Sequence, residues 1–435
     1  MRFRCDDRFF SHARLGIQAV ALLPEWEQLL LSASPPQGEE LPLLPQCANS
    51  GEQLAYDCLL MDWLYDPRFR HLALAENGRL LPHMLPDRNG DGAYQSGNPV
   101  DPEMCVSLTA YLLQNAVNEL RNNNIPAFCR RAGVLGHFLQ DLLPPSHNLK
   151  SIERYQLFPN PEAGHFGGAT SGYEIAADLG GKVPVIAGCD IATAAFHLAN
   201  TALKYAHASR SLIPQLMAAG YAKDRELCRE ILRTPARQAV ELTAQAWHTA
   251  FSIAYDKFNA SEVDALKAMP LTELYCAYHH PDIYAHCGNN GFCFDGTMQK
   301  LRLLTQDGEQ DFLSGFGLTG HSGMKFFTGG IFSRLTFTAG LAAHKTSFLP
   351  HIDLDFSVET SPRWQENFSL DMEYGGIRQA EHRFHPGTPA ETFDLKLNDA
   401  GTLIFASRAQ AYTNEKGMIA FDIPHIGIVE PVLNM

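Results

Sequence analysis

The stretch Gly136-His137-Phe138-Leu139-Gln140-Asp141-Leu142-Leu143-Pro144-Pro145-Ser146-His147 decides how this chain is read. His137 and Asp141 are four residues apart in an apolar run. In a helix that spacing stacks an imidazole and a carboxylate on one face. Pro144 and Pro145 end the helix, and the chain turns back to present His147. Nitrogen and oxygen donors converging in this way suit zinc, which takes imidazole and carboxylate at about 2 Å. A buried carboxylate is costly unless compensated, so Asp141 calls for a partner. The plainer alternative is a satisfied core histidine with an aspartate at a helix end. It accounts for each residue singly, but not for all three together with the proline break.

Around this stretch the chain is globular in composition. It has 435 residues, 45% hydrophobic and 19% charged, enough for two or three domains with real cores. No apolar run reaches the 18 residues that a membrane-spanning helix needs. The start, Met1-Arg2-Phe3-Arg4-Cys5-Asp6-Asp7-Arg8, lacks the apolar middle of a secretory signal. Three localisations follow as expectations: cytoplasm, export by a route that reads no such signal, or a leader missing from this sequence. A net charge of −14 repels a polyanionic backbone and argues against a nucleic-acid partner. The ten cysteines are scattered with no Cys-x-x-Cys, which disfavours thiolate-bound zinc and points to reduced core thiols. Cys287 and Cys293 are the one pair spaced like a short loop.

Residues 1–260 carry helical periodicity at 13–31, 101–121, 126–143, 190–209 and 223–257. Connections rich in Pro, Gly and Asn lie at 34–51, 82–102 and 156–172. Near residue 270 the period changes from 3.6 to two. Phe332 to Leu341, Ile352 to Val358, Phe393 to Leu397 and Leu403 to Ala409 alternate, with Gly-rich turns between them. The expected fold class is multidomain, α then β: an all-α front domain over 1–260 and an antiparallel β-sandwich over 311–435, joined by a segment at 261–310. That segment opens as a helix capped at Ser261.

Further zinc-competent residues are His12, at the start of an amphipathic helix, and His83, in a loop before Pro86-Asp87-Arg88-Asn89-Gly90. His165 and Glu174 lie in a Gly-rich stretch, and Asp57, Asp62 and Asp66 surround Trp63. Taken singly, a helix cap explains His12, and a solvated loop residue explains His83, His165 and Glu174, as well as a ligand does; of the three aspartates at least one is expected half-buried beside Trp63. Asp87 to Asn98 imitates a calcium loop but has Asn98 where the bidentate Glu belongs, so it reads as a turn. His279, His280 and His321 have no acidic partner at ligand spacing and read as structural or surface residues.

Over residues 5–255 the pattern resembles the bacterial zinc-dependent phospholipase C family, with its alpha-toxin-like helical domain. Fungal zinc-dependent single-strand nucleases share that scaffold. The resemblance is carried by the His137, Asp141, His147 spacing and by Ser11-His12-Ala13 with Ile17. His83 to Gly90 and Gly164-His165 add to it. It implies two or three Zn2+ ions, held by His12, His83, His137, Asp141, His147, His165 and Glu174. Asp66 would be the catalytic carboxylate, ahead of Asp62 and Asp57. The family's Glu four residues after Gly-His is replaced here by Ala169, so Glu174 stands in for it. The family's N-terminal Trp ligand has no counterpart in Met1-Arg2-Phe3, which implies an altered site or one formed after processing.

The rear domain, from Gly317 onward, resembles the carbohydrate-binding module first found next to glycosidases. The resemblance thus implies an enzyme of lipid degradation and virulence, acting on a phospholipid membrane surface, with a glycan as the alternative partner of the rear domain. An activated water would attack phosphorus in line, Asp66 would orient or deprotonate it, and the products would be diacylglycerol and a phosphorylated head group. Two alternatives stand beside this reading: a zinc nuclease or nucleotidase on the same scaffold, and a non-catalytic binding protein with structural zinc.

Overall fold

A computed structural model describes residues 11–36, 47–63, 102–149, 156–158, 178–180, 182–280, 288–290, 292–294, 297–319, 322–343, 352–359, 376–398, 400–409, 412–413, 419–420 and 425–435. The chain divides into two compact units, Met1–Asp264 and Ala265–Met435. The first is all-α and the second is antiparallel β, so the chain is an α-then-β multidomain protein.

The first unit contains α1 (Ser11–Leu22), α2 (Glu25–Ala33), α3 (Ser50–Asp57), α4 (Pro102–Arg121), α5 (Ile125–Asp141), α6 (Ile191–Arg210), α7 (Ile213–Ala222) and α8 (Arg225–Tyr255), and α9 (Ala260–Leu266) runs across the boundary. Side chains that accept from exposed backbone N–H groups begin several of them: Asn49 for α3, Asn124 for α5, Asp190 for α6 and Asp224 for α8. The periodic run 13–31 is two helices, because Pro24 cannot donate to the ladder and restarts it. In α9 the cap is Asn259, whose side chain accepts from the Ser261 N–H, rather than Ser261 itself. The helix α3 lies partly in a stretch that composition alone reads as connection.

Helix α5 packs against α3, α4 and α8, and α1 packs against α3 and α8. Trp247, Phe128, Phe138 and Phe251 are fully buried among them, and the Trp247 indole N–H donates to the Ala132 carbonyl at 2.8 Å. Glycine lets the helix backbones approach closely. A Cβ on Gly133 would sit 2.6 Å from the Asp57 carbonyl carbon, so only hydrogen fits between α5 and α3 there. Among the described residues no helix is long and apolar enough to cross a membrane.

The second unit begins with strands β1 (Ala268–Pro270), β2 (Cys276–His280), β3 (Gly288–Asn289), β4 (Phe292–Phe294), β5 (Thr297–Gln299), β6 (Leu301–Thr305), β7 (Gly308–Phe312), β8 (Gly315–Thr319) and β9 (Ser322–Phe327). It continues with β10 (Arg334–Leu341), β11 (Ile352–Glu359), β12 (Gly376–Phe384), β13 (Glu391–Lys396), β14 (Thr402–Ala409), β15 (Tyr412–Thr413), β16 (Ile419–Ala420) and β17 (His425–Asn434).

One sheet runs β13-β10-β17-β8-β3, with β1 also on β17; the other runs β12-β11-β14-β9-β2. The two faces meet through aromatic rings: Phe316 on Phe326 at 5.2 Å, and Phe337 on Phe405 at 5.4 Å and on Phe356 at 6.3 Å. That interdigitation of inward residues from two sheets makes the sandwich core. The ladder between β10 and β17 is interrupted by a bulge at Glu430, which has φ 50°, followed by Pro431, which has no N–H to donate.

Candidate metal centre

The last turn of α5 carries His137, Gln140 and Asp141, all essentially without solvent exposure. The 3-10 turn Pro145–Asn148 follows and returns His147 to the same place. The opening turn of α1 supplies His12, whose ring lies 4.1 Å, centroid to centroid, from that of His137. His12, His137 and Asp141 are a buried group whose ligand atoms all lie within 4.8 Å of one another, and such a group could hold a metal ion. His147, 4% exposed, adjoins it, with its Nδ1 3.4 Å from Asp141 Oδ1.

Hydrogen bonding fixes which ring nitrogens carry the proton. His137 Nδ1 lies 2.6 Å from the Cys58 carbonyl, His12 Nδ1 lies 2.8 Å from Gln140 Oε1, and His147 Nδ1 lies 2.9 Å from the Asp141 carbonyl. Carbonyl oxygens only accept, so all three Nδ1 atoms donate. In the neutral rings every Nε2 is then a lone pair. Yet His137 Nε2 is 3.1 Å from Asp141 Oδ2, and His12 Nε2 is 3.2 Å from Asp141 Oδ1. Lone pairs face carboxylate oxygens in a dry interior, an arrangement stable only with positive charge between them or on the rings.

Metal ligation resolves this directly. Ligating histidines hold their other ring N–H on a carbonyl or carboxylate, as these do. Two donors each about 2 Å from a tetrahedral ion sit about 3.3 Å apart, close to the separations observed. The residues present therefore fit a divalent cation. Burial acts to raise the Asp141 carboxyl, but positive charge on the rings of His137, His147 and His12, when they are protonated, overcomes it. That charge holds Asp141 well below the usual carboxylate range.

Among the sequence-predicted residues, the fold thus brings together His12, His137, Asp141 and His147. Asp57 is apart from this group. It is buried, accepts from Gln53 Nε2 at 3.1 Å, and burial pushes its carboxyl up to about 7. Asp62 belongs to the 3-10 turn Leu60–Trp63. Asp66, His83, His165 and Glu174 lie outside the described residues, as do the run Asp87 to Asn98, Cys287 and His321. Cys47, Cys58, Cys129, Cys189 and Cys228 are free thiols.

Sequence reasoning missed Gln140, the Cys58 carbonyl and Thr243, which accepts from Gln140 Nε2 at 3.2 Å. Gln140 had a signal, being a polar side chain in an otherwise apolar turn. The Cys58 carbonyl and Thr243 had none.

No family model matches the chain, and no curated protein matches it. It is similar to the solved alpha-toxin of Clostridium perfringens avian strain SWCP, at 12% identity and a TM-score of 0.32, over 94% of this chain and 89% of that one. The alpha toxin of Clostridium absonum is similar at 13% identity and a TM-score of 0.32, over 93% and 88%. The CBM51 of Clostridium perfringens GH95, in complex with methyl-galactose, is similar at 13% identity and a TM-score of 0.28, over 38% of this chain and 99% of that one. The chain spans 31% of the length of the Clostridium perfringens ZmpB chain that holds CBM51-2 and INT domains, at 13% identity and a TM-score of 0.29.

Proposed function

We propose that this protein is a zinc-dependent phosphodiester hydrolase of the phospholipase C type, cleaving glycerophospholipids to diacylglycerol and a phosphorylated head group. The observation that carries the reading is the dry cluster of His12, His137 and Asp141. Its imidazoles are tied back through Nδ1 and present Nε2 to one carboxylate. An all-nitrogen-and-oxygen donor set suits a hydrolytic ion with no redox role. His12, His137, Asp141 and His147 are assigned as ligands. His83, His165 and Glu174 are proposed to complete the set for two or three ions, because the motif spacing resembles that family.

When bound, zinc neutralises charge developing on phosphorus and lowers the pKa of water to about 7. The remaining work belongs to the chain. Asp141 and the three histidines hold the charge in place, and the buried helix ends around them exclude bulk water. Asp66 is proposed to take the proton from the attacking water at its carboxylate. Residues 1–260 are proposed as the catalytic domain. Residues 311–435 are proposed to bring it to a phospholipid surface, with a glycan as the alternative ligand, and 261–310 to connect the two.

The test is metal content together with chelator-sensitive phosphocholine release from choline lipid. Two or three zincs with that release are expected. Mononucleotide release from single strands would move the assignment to a nuclease. One zinc without turnover would make the ion a structural staple.

A further inference from the structure

His137 and His147 lean on backbone carbonyls, those of Cys58 and Asp141. His12 differs, because its Nδ1 is held by a side chain, Gln140, at 2.8 Å. Gln140 is fully buried, and its other end donates from Nε2 to Thr243 Oγ1 at 3.2 Å. One amide therefore bridges α1 and α8 from its place on α5. Thr243 decides which way that amide faces. Its hydroxyl oxygen accepts from the amide N–H, which turns Oε1 toward His12. With Nε2 spent on Thr243, Oε1 is the atom left for His12. An acceptor at that point puts the imidazole proton on Nδ1 and leaves the Nε2 lone pair 3.2 Å from Asp141 Oδ1.

We infer that Gln140 is the positioning residue that makes His12 a metal ligand, by fixing both its tautomer and its ring plane. The inference rests on reading the cluster as a metal centre. Because a side chain holds His12 where backbone holds its neighbours, zinc affinity at the His12 position is tunable by substitution at 140.

The test uses the full chain and two variants. Gln140→Met keeps length and bulk but loses the polar contacts of the amide, those with His12 and Thr243 included. Gln140→Glu keeps an acceptor oxygen for His12. Zinc is titrated against a chromophoric chelator, and the His12 tautomer is read from ring 15N shifts in the zinc-free protein at a pH high enough for the ring to be neutral. Gln140→Met is expected to lose about 10–100-fold in zinc affinity, as removal of outer-shell partners does, and to show mixed His12 tautomers. Gln140→Glu is expected to keep the Nδ1–H tautomer and most of the affinity. Wild-type zinc affinity and an unchanged tautomer in Gln140→Met would overturn the inference. If Gln140→Met does not fold, Thr243→Val carries the same test, since it frees the amide to turn over; an unchanged His12 tautomer there is equally fatal. A wild-type protein that binds no zinc overturns the metal reading instead, and the tautomer measurement still decides the role of Gln140.

Discussion

His137 holds the centre of the cluster with both ring nitrogens, Nδ1 donating to the Cys58 carbonyl at the end of α3 and Nε2 facing Asp141 Oδ2 at 3.1 Å. His137→Ala is expected to abolish hydrolysis and to lower zinc content by at least one ion per chain, measured by elemental analysis. Near-normal turnover by that variant would remove the proposed site. Asp57, one residue before Cys58, has the opposite electrostatics from Asp141. Burial raises its carboxyl to about 7, with the Gln53 hydrogen bond and the Arg130 charge offsetting only part of that. A folded-state value above the unfolded one means that the native state holds the proton more tightly. That stabilisation is complete below about pH 4 and is lost as pH rises through about 7. Asp57→Asn should therefore flatten the fall in melting temperature between pH 4 and 8 in chelator. Glu27, also raised to about 7 by burial, contributes a slope of the same sign, so part of the fall should persist. An unaltered profile would show that Asp57 is not the titrating group.

At the scale of elements, the site depends on how closely α5 lies on α3. Gly133 is one turn before His137, and its missing Cβ is what permits that approach. Gly133→Ala forces the two helices apart and should cost about 1–3 kcal/mol in denaturant unfolding, the usual penalty for overpacking. It should also weaken zinc binding, because the Cys58 carbonyl moves away from His137. An unchanged unfolding midpoint would contradict the close packing. Several of the long elements were legible beforehand. Helices α4, α5, α6 and α8 repeat apolar residues at helical spacing, and β10, β11, β13 and β14 alternate at period two. Pro24 was readable as a break but lay inside an otherwise continuous pattern. Helix α3 was hidden because it is short, and because its first residues, Ser50 and Gly51, resemble the loop before it.

At the scale of the whole molecule, two units with separate cores invite a division of labour. Residues 1–264 expressed alone should hydrolyse a soluble phosphodiester at the rate of the full chain but act less well on phospholipid vesicles, compared by initial rates. Equal rates on vesicles would remove the targeting role from the β unit.

The order of the two units and the identity of His137 and Asp141 as neighbours were settled by the sequence alone. Both are consequences of local periodicity, in which a residue's partner lies within one or two turns of chain. The arrival of His12 beside them was decided only by the tertiary structure, across 128 positions, and so was its tether through Gln140 to Thr243, 103 positions further on. Closing such long loops costs entropy that grows only slowly with length. Packing of helix faces therefore chooses among many distant pairings, and no local pattern of residues records the choice.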